Sequence, residues 1–471
     1  MNLSAISPRS CHGRDLLFTI LLCAAFYCVT GHDDLLETSN HAWLLLDCIK
    51  NGQFLDYYNV VMAHQNSLYY LNNAHYNILC YALYAIWQLP VYLVSQLGHI
   101  AVSERFLMFW SKAVGVAAFA GCAALLGRIA VRLGHTPEDS HFIPLYFVLD
   151  PIAFFAAIVM GQYDSLCLLF LLAAILCWLD GRMLRFSLLA GVALVFKFFP
   201  LLLFLPLLVL TEKRPLRCAG YLLASLWLYI PTALLFRGRT GDMSVFNGEV
   251  IQRIFAAKLA GGLDDLPIYL ILYACLLLGC YLYRPQSRQA AAACMPWLGL
   301  AVYGLLFVFV SWHPQWLILL APFVVLTNFA QRQRAPWLYL NTILFAGYWM
   351  CMNFNFPGQL EENLLHWGLL GNLVSPLIGG AQNLSFYLAL IPYTVELAPV
   401  IFAAPLLASL LFKFPLRDGS LGDRLAAADG ERPLAAAPSL RIMLFGTFAV
   451  CILGIWLGST LFVLAQAAHW I

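Results

Sequence analysis

Charge is what this sequence has least of. Of its 471 residues, only 11% are Asp, Glu, Lys or Arg, whereas 62% are hydrophobic and the mean hydropathy is +0.79. A soluble domain carries about 25% charged residues, so this composition predicts a polytopic membrane protein. The formal net charge of +2 comes without a basic stripe, which argues against a nucleic-acid-binding surface and predicts no nucleic acid partner.

Several short motifs are also missing. The sequence has no P-loop, no Rossmann glycine pattern and no HExxH, so soluble-nucleotide chemistry and zinc proteolysis have no support. The 14 cysteines form no CxxC pair and lie mostly in apolar runs, where they behave as small buried hydrophobes. The first apolar segment is not followed by a small-residue cleavage site, so we expect it to be retained as a signal-anchor helix.

The distribution of Lys and Arg predicts how the chain is oriented. Arg9 and Arg14 flank the start of the first helix, which puts the N-terminus on the cytoplasmic side. Residues 76–97 are apolar enough to span the membrane. If they did, however, the later basic loops would lie on the external side, against the positive-inside rule. If this stretch is an external surface or re-entrant helix, 18 of the 26 Lys and Arg residues are internal and 6 are external. This bias is a strong positive-inside signal.

The predicted architecture is an all-α polytopic membrane protein in a single domain with about 11–13 transmembrane helices. One segment of the bundle, 186–210, contains Lys197 and Pro200 in its middle, which favours two short helices forming a hairpin. The predicted segments are the first transmembrane helix (1–30), a long first external loop with amphipathic juxtamembrane helices (31–105, surface helix 76–97), the bundle (106–412), a cytoplasmic linker (413–441) and the last helix (442–471).

Two adjacent acids, Asp33 and Asp34, stand where the first helix meets water. A solvated helix end is the ordinary explanation for such a pair. The long loop that follows, however, also holds several polar and aromatic residues: Asn40, His41, Tyr57, Tyr58, His64 and His75. Because ionisable groups at membrane boundaries are usually functional, we expect these carboxylates to have a chemical role.

A second motif, Gly161-Gln162-Tyr163-Asp164, comes to the surface on the same face under this orientation. Alternatively, Gly161 could serve close helix packing and Asp164 could cap the next helix. Its position on the face of Asp34 favours a role for Gln162, Tyr163 and Asp164 in substrate binding.

A third motif, Trp312-His313-Pro314-Gln315-Trp316, is also predicted to be external. A tight proline turn with interfacial tryptophans is the alternative. His313 could donate a hydrogen bond to a phosphate oxygen, and Gln315 could hold a hydroxyl group. The external cations that could neutralise a lipid phosphate are Arg105, Arg237, Arg239, Arg253 and Lys258.

Two further groups of charges have simpler explanations. Lys197 is expected to extend its ammonium towards the cytoplasmic interface and to take no part in catalysis. Glu361, Glu362 and His366 are expected on an amphipathic surface helix, where their charges are solvated.

These motifs together resemble the GT-C superfamily of integral-membrane glycosyltransferases. The likeness covers roughly the first 330 residues: Asp33-Asp34 after the first helix, a juxtamembrane helix at 76–97, and the later Gly161–Asp164 motif. Phe196–Pro200 and His313–Gln315 are similar to recurring features of prokaryotic members. The chain lacks a WWDYG-like motif and a soluble C-terminal domain, which argues against an oligosaccharyltransferase.

The resemblance implies transfer of a hexose, mannose-like, from a polyprenyl-phosphate sugar in the membrane lipid to a lipid-linked or cell-envelope acceptor. Asp34 or Asp33 would be the general base of an inverting displacement. Metal-binding members carry a second acid two positions after Asp164, where this chain has Leu166, so no metal ligand is predicted and a divalent ion stays an alternative. The implied location is the plasma membrane in a bacterium or the endoplasmic reticulum in a eukaryote. The rival functions are a transporter or flippase of lipid-linked sugars and a non-catalytic subunit of a membrane complex.

Overall fold

The computed structural model describes residues 8–64, 74, 76–236, 249–259, 266–378, 382–416, 419–420 and 440–468. The first twelve helices, α1 to α12, are Pro8–Val29, Asp33–Lys50, Tyr57–His64, Ile78–Gly98, Glu104–Leu133, Pro137–Val148, Pro151–Phe154, Asp164–Leu179, Met183–Phe196, Pro200–Thr211, Pro215–Ser225 and Tyr229–Leu235. Helices α13 to α23 are Glu249–Ala256, Ile268–Leu282, Arg288–Phe309, Ala321–Phe329, Ala335–Asn355, Glu362–His366, Gly371–Ile378, Leu384–Ala389, Thr394–Phe412, Leu440–Phe448 and Gly458–Ala467.

Short irregular helices and two small ribbons complete the described chain. Turns of 3₁₀ helix cover Phe54–Asp56 and Pro314–Leu319, and wider π-helical turns cover Phe155–Val159 and Ala449–Leu457. Four two-residue strands, β1 to β4, pair antiparallel as Lys258–Leu259 with Leu266–Pro267 and Pro415–Leu416 with Gly419–Ser420. The predicted all-α architecture is therefore confirmed for the described residues.

Five helices are long and apolar enough to cross a membrane, or up to eight if each of three bent pairs is one span, counting the described ranges alone. The five are Ile78–Gly98, Glu104–Leu133, Arg288–Phe309, Thr394–Phe412 and Leu440–Ala467. These helices are consistent with a multi-pass membrane protein. The count of 11–13 spans stays a prediction. So does the surface position of α4, because α4 itself meets the criteria for a span.

The approach to the Gly161–Asp164 motif is built by local backbone chemistry. The carboxylate of Asp150 accepts a hydrogen bond from the Ala153 amide at 3.1 Å, and Pro151 occupies the first turn, where it needs no donor. The helix then widens into the π-helical turn at Phe155–Val159 and ends at Gly161, whose φ is +75°. Since only glycine adopts this conformation at little cost, Gly161 fixes where the motif leaves the helix.

Hydrogen bonds around Trp178 define the directions of three consecutive helices. The Trp178 indole at the end of α8 donates to the Leu207 carbonyl at 3.0 Å and lies 3.2 Å from the Thr211 hydroxyl at the end of α10. Helix α9 starts beside the end of α8, so α9 and α10 run in opposite directions, as a hairpin requires. Their connection, Lys197–Phe199, lies beside the start of α8, where Asp164 contacts Lys197.

The end of α8 near Trp178 also collects basic side chains. The Arg132 guanidinium donates to Asp180 at 2.7 Å and holds the pKa of that carboxyl below its usual value. Arg288 donates to the carbonyls of Trp178 and Leu179 at 2.9 and 3.1 Å. We call this the basic end, and the opposite end, where α8 begins at Asp164, the site end. The membrane face of each end stays a prediction.

Close helix contacts are made through glycine. A Cβ on Gly347 of α17 would lie 2.3 Å from the backbone nitrogen of Phe402 in α21. A Cβ on Gly191 of α9 would lie 2.5 Å from the Ser225 carbonyl oxygen at the end of α11. Helices in apolar surroundings associate largely by such close packing, so these glycines set the spacing of the bundle.

Candidate functional site

The acidic pair lies at the start of a helix, not in an irregular loop. After α1 ends, the chain bends by 72° and α2 begins at Asp33. His32 caps α2 by accepting a hydrogen bond from the Asp34 amide at 3.2 Å, and the Gly31 amide donates to the Leu364 carbonyl at 2.9 Å. Both acids are in the first turn of α2, where the helix dipole favours negative charge.

Asp34 is held by the two other predicted motifs. Its Oδ2 accepts from the Gln162 amide at 3.4 Å and from the Gln315 amide at 3.3 Å. The Asp34 side chain is nevertheless 43% exposed. Three segments far apart in the sequence thus converge on one oriented and accessible carboxylate.

Asp33 has a different environment from its neighbour. Its Oδ1 lies 3.0 Å from Nδ1 of His32, and 36% of its side chain is exposed. The same Nδ1 lies 3.3 Å from the Gln162 side-chain nitrogen. Because Nδ1 accepts from the Asp34 amide, it can also accept from the Gln162 amide, and it contacts Asp33 without donating to it.

Lys197 is the clearest correction to the sequence-based interpretation. It does not reach towards the basic end: its Nζ lies 3.4 Å from Oδ1 of Asp164 at the site end, and both side chains are buried. Apart from this ion pair, neither carboxylate oxygen of Asp164 accepts a hydrogen bond from the described residues. The hairpin connection brings Lys197 here because Pro200 at the start of α10 stops α9 from continuing. Asp164 is not the helix cap either, since Tyr163 holds that position without a side-chain bond.

Aromatic rings surround the Lys197 ammonium. The rings of Tyr76, Tyr163 and Trp316 have their centroids 5.1, 5.1 and 5.5 Å from Nζ. Lys197 also donates to the Tyr76 hydroxyl at 3.3 Å. Burial raises the pKa of Tyr76 above its usual value, so this phenol is neutral at physiological pH.

The predicted cations are only partly brought to the site. Arg253 lies 3.0 Å from Nε2 of His313, and its guanidinium stacks 5.5 Å from the Trp316 ring centre. Lys258 is exposed in β1, where it pairs with Pro267. Arg105 donates to Asn372 and, at 3.4 Å, to Ser375. Arg237 and Arg239 lie outside the described residues, as does His75.

Two further expectations need revision. His41 is buried, with Nδ1 3.0 Å from the Tyr57 hydroxyl, and therefore belongs to the packing between α2 and α3. Glu361 is buried as well, not solvated, and accepts a hydrogen bond from the Leu384 amide at 3.3 Å.

Sequence reasoning gave His32 and Trp316 no role in the site and missed Tyr76 altogether. Trp316 lies within a recognised motif and His32 directly precedes the acidic pair, so their places in the sequence were an available signal. Tyr76 had none, because only the fold brings it to Lys197.

One group of described side chains has a composition that could hold a metal ion. Ligand atoms of His32, Asp33 and Asp34 all lie within 4.8 Å of one another. Such a mixed nitrogen and carboxylate set suits a transition metal better than magnesium. However, two amide groups already donate to Asp34, and these donors would oppose a cation at the same oxygen. The residues present therefore fit a metal poorly.

No protein-family model matches the chain, and none of the curated proteins shows significant similarity to it.

Proposed function

We propose that this protein is an integral-membrane glycosyltransferase of the GT-C type. In this proposal it moves a hexose, mannose-like, from a polyprenyl-phosphate sugar to a lipid-linked or cell-envelope acceptor on the external face, with the N-terminus in the cytoplasm. The observation that carries the proposal is Asp34: a partly exposed carboxylate that is oriented by Gln162 and Gln315.

Asp34 is the general base. The acceptor hydroxyl attacks the anomeric carbon, the bond from that carbon to the phosphate oxygen breaks, and the hydroxyl proton passes to Asp34. Because a carboxylate is a much weaker base than an alkoxide, the proton moves late, when the sugar has cationic character. The attack comes from the side opposite the phosphate and inverts the anomeric configuration. The two amides keep the carboxylate in one orientation, which raises the fraction of productive encounters.

Cations near Trp316 are suited to the leaving group. The departing polyprenyl phosphate carries the negative charge that develops in the transition state, and preorganised donors at that position lower the barrier. Lys197 and Arg253 both contact the Trp316 ring, and Arg253 is bonded to His313. We assign these three polar residues to the phosphate. In this role Lys197 is held by Asp164, which limits its movement.

The position of the charges favours an enzyme over the rival functions. A transporter places its ionisable residues near the middle of the membrane, whereas Asp34, Asp164 and Lys197 lie together at one end of α8. A non-catalytic subunit needs no convergence of three distant motifs on one carboxylate.

The proposal is tested by transfer from radiolabelled polyprenyl-phosphate sugars in membranes that contain the wild type or an Asp33→Asn/Asp34→Asn variant. We expect label to enter a lipid or envelope product with the wild type and not with the variant. A nucleotide sugar serves as the negative-control donor. If no polyprenyl-phosphate sugar is used while the acceptor pool is intact, the enzyme proposal is wrong and movement of the lipid-linked sugar across the bilayer should be measured instead.

A further inference from the structure

A second buried lysine lies next to the site but outside the chemistry assigned above. Lys112, in α5, is fully buried. Its Nζ donates to the Thr30 carbonyl at 2.8 Å and lies 3.2 Å from both the Tyr27 carbonyl and the Thr30 hydroxyl. It lies 3.5 Å from the Val159 carbonyl. Within the described ranges, none of its hydrogen-bond partners is a carboxylate.

These partners lie at the C-terminal ends of two different helical segments. Tyr27 and Thr30 close α1, four residues before Asp34. Val159 closes the π-helical turn, three residues before Gln162. The Thr30 hydroxyl is itself 2.8 Å from the Val159 carbonyl, so the two ends also meet directly.

The stem of Lys112 contacts the Gln162 loop as well. A Cβ on Gly161 would lie 2.5 Å from Cγ of Lys112, and a Cβ on Gly115 would lie 2.8 Å from the Gln162 carbonyl oxygen. Helix α5 thus approaches this loop as closely as two glycines allow. Both the length of Lys112 and its charge are matched to the space.

A buried ammonium is costly, and packing alone would be served by an apolar residue. What an apolar residue cannot do is donate to the carbonyls at the ends of helices, which have no partner within the helix. Lys112 donates to such carbonyls at the ends of both helical segments at once. It thereby fixes the distance between the two segments.

We propose that Lys112 is a positioning residue that sets the distance between the turn bearing Asp34 and the loop bearing Gln162. This inference rests on the proposed function, because the oriented carboxylate is the proposed base. Lys112 touches neither substrate nor reacting atoms in this assignment. It acts through the backbone that holds Asp34 and Gln162 at 3.4 Å.

The test compares Lys112→Met, which keeps the volume and removes the donors, with Lys112→Gln, which keeps an amide donor. The matched control is Lys413→Met. Lys413 is also buried, but it donates to Asn328 at 2.5 Å beside the end of α16 and the start of α17, away from the site. For Lys112→Met we expect kcat to fall by about 10²-fold with KM little changed, since a misplacement of about 1 Å has an effect of this size. Lys112→Gln should recover part of the loss, and Lys413→Met should leave kcat unchanged.

Hydrogen exchange provides a readout that does not depend on activity. Peptides covering 28–36 and 158–166 should exchange faster in Lys112→Met than in the wild type, while a peptide around Asp180 stays unchanged. The inference would be overturned if both peptides were as well protected in Lys112→Met as in the wild type. It would also be overturned if they exchanged faster in Lys112→Met while its kcat was unaltered. If the wild type itself uses no donor, the proposed function fails, and the exchange experiment still decides whether Lys112 joins the two segments.

Discussion

The buried pair of Asp164 and Lys197 allows the sharpest prediction about stability. At a separation of 3.4 Å, their attraction is about 5 kcal/mol at an effective dielectric constant of about 20. Removing one partner leaves the other charge buried and unpaired, which typically costs about 3–5 kcal/mol. We therefore expect Lys197→Met to destabilise the folded protein by this amount. Asp164→Asn should do less damage, because three aromatic rings still face the ammonium.

The double variant Asp164→Asn/Lys197→Met separates pairing from packing. With both charges removed, most of the stability lost in Lys197→Met should return, because no unpaired charge remains. The assay is equilibrium unfolding of purified protein in mixed micelles, with all four proteins of the double-mutant cycle measured together. Strictly additive effects would show that the two residues do not interact and would refute this part of the account. Transfer activity should remain low in the double variant, since Lys197 is assigned to the leaving phosphate.

Two further predictions concern packing and metal. Gly347→Ala should destabilise the protein by about 1–3 kcal/mol, because its new methyl group meets the backbone of Phe402. Gly279→Ala, where nothing lies within 4 Å, should leave unfolding in micelles unchanged or slightly delayed; equal losses in both variants would contradict the contact. Chelation of divalent ions should leave the transfer rate unchanged, because amide donors already satisfy Asp34. If chelation abolished activity and Mn²⁺ restored it, a metal ion would instead be assigned to His32, Asp33 and Asp34.

The sequence carried enough information to locate the motifs. Composition indicated the class, because membrane helices must be continuous and largely uncharged. From the alternation of basic loops, Gln162, Gln315 and Asp34 were predicted to lie on one side of the bundle, and in the structure both glutamines contact Asp34. That sorting rests on charge alone and needs no knowledge of packing.

The contacts within the site could not be predicted in the same way. Lys197 looked like a residue that reaches for the cytoplasmic interface. The hairpin of α9 and α10 was predicted, but the contact of Lys197 with Asp164 was not. The start of α2 at Asp33 was also missed, since a polar segment after a membrane helix is usually a loop. Lys112 gave no sign in the sequence, because its partners are backbone carbonyls and those leave no residue pattern.

The most direct measurement of the central claim is the transfer rate of Asp34→Asn beside that of Asp33→Asn, each with saturating polyprenyl-phosphate sugar. Both changes remove one charge in the first turn of α2 and keep the shape of the side chain, so they serve as matched controls for each other. We expect a fall of about 10²–10⁴-fold for Asp34→Asn, the usual contribution of a general base. Asp33→Asn should retain most of the wild-type rate. Full activity in Asp34→Asn, or an equal loss in both variants, would contradict the assignment of Asp34 as the base.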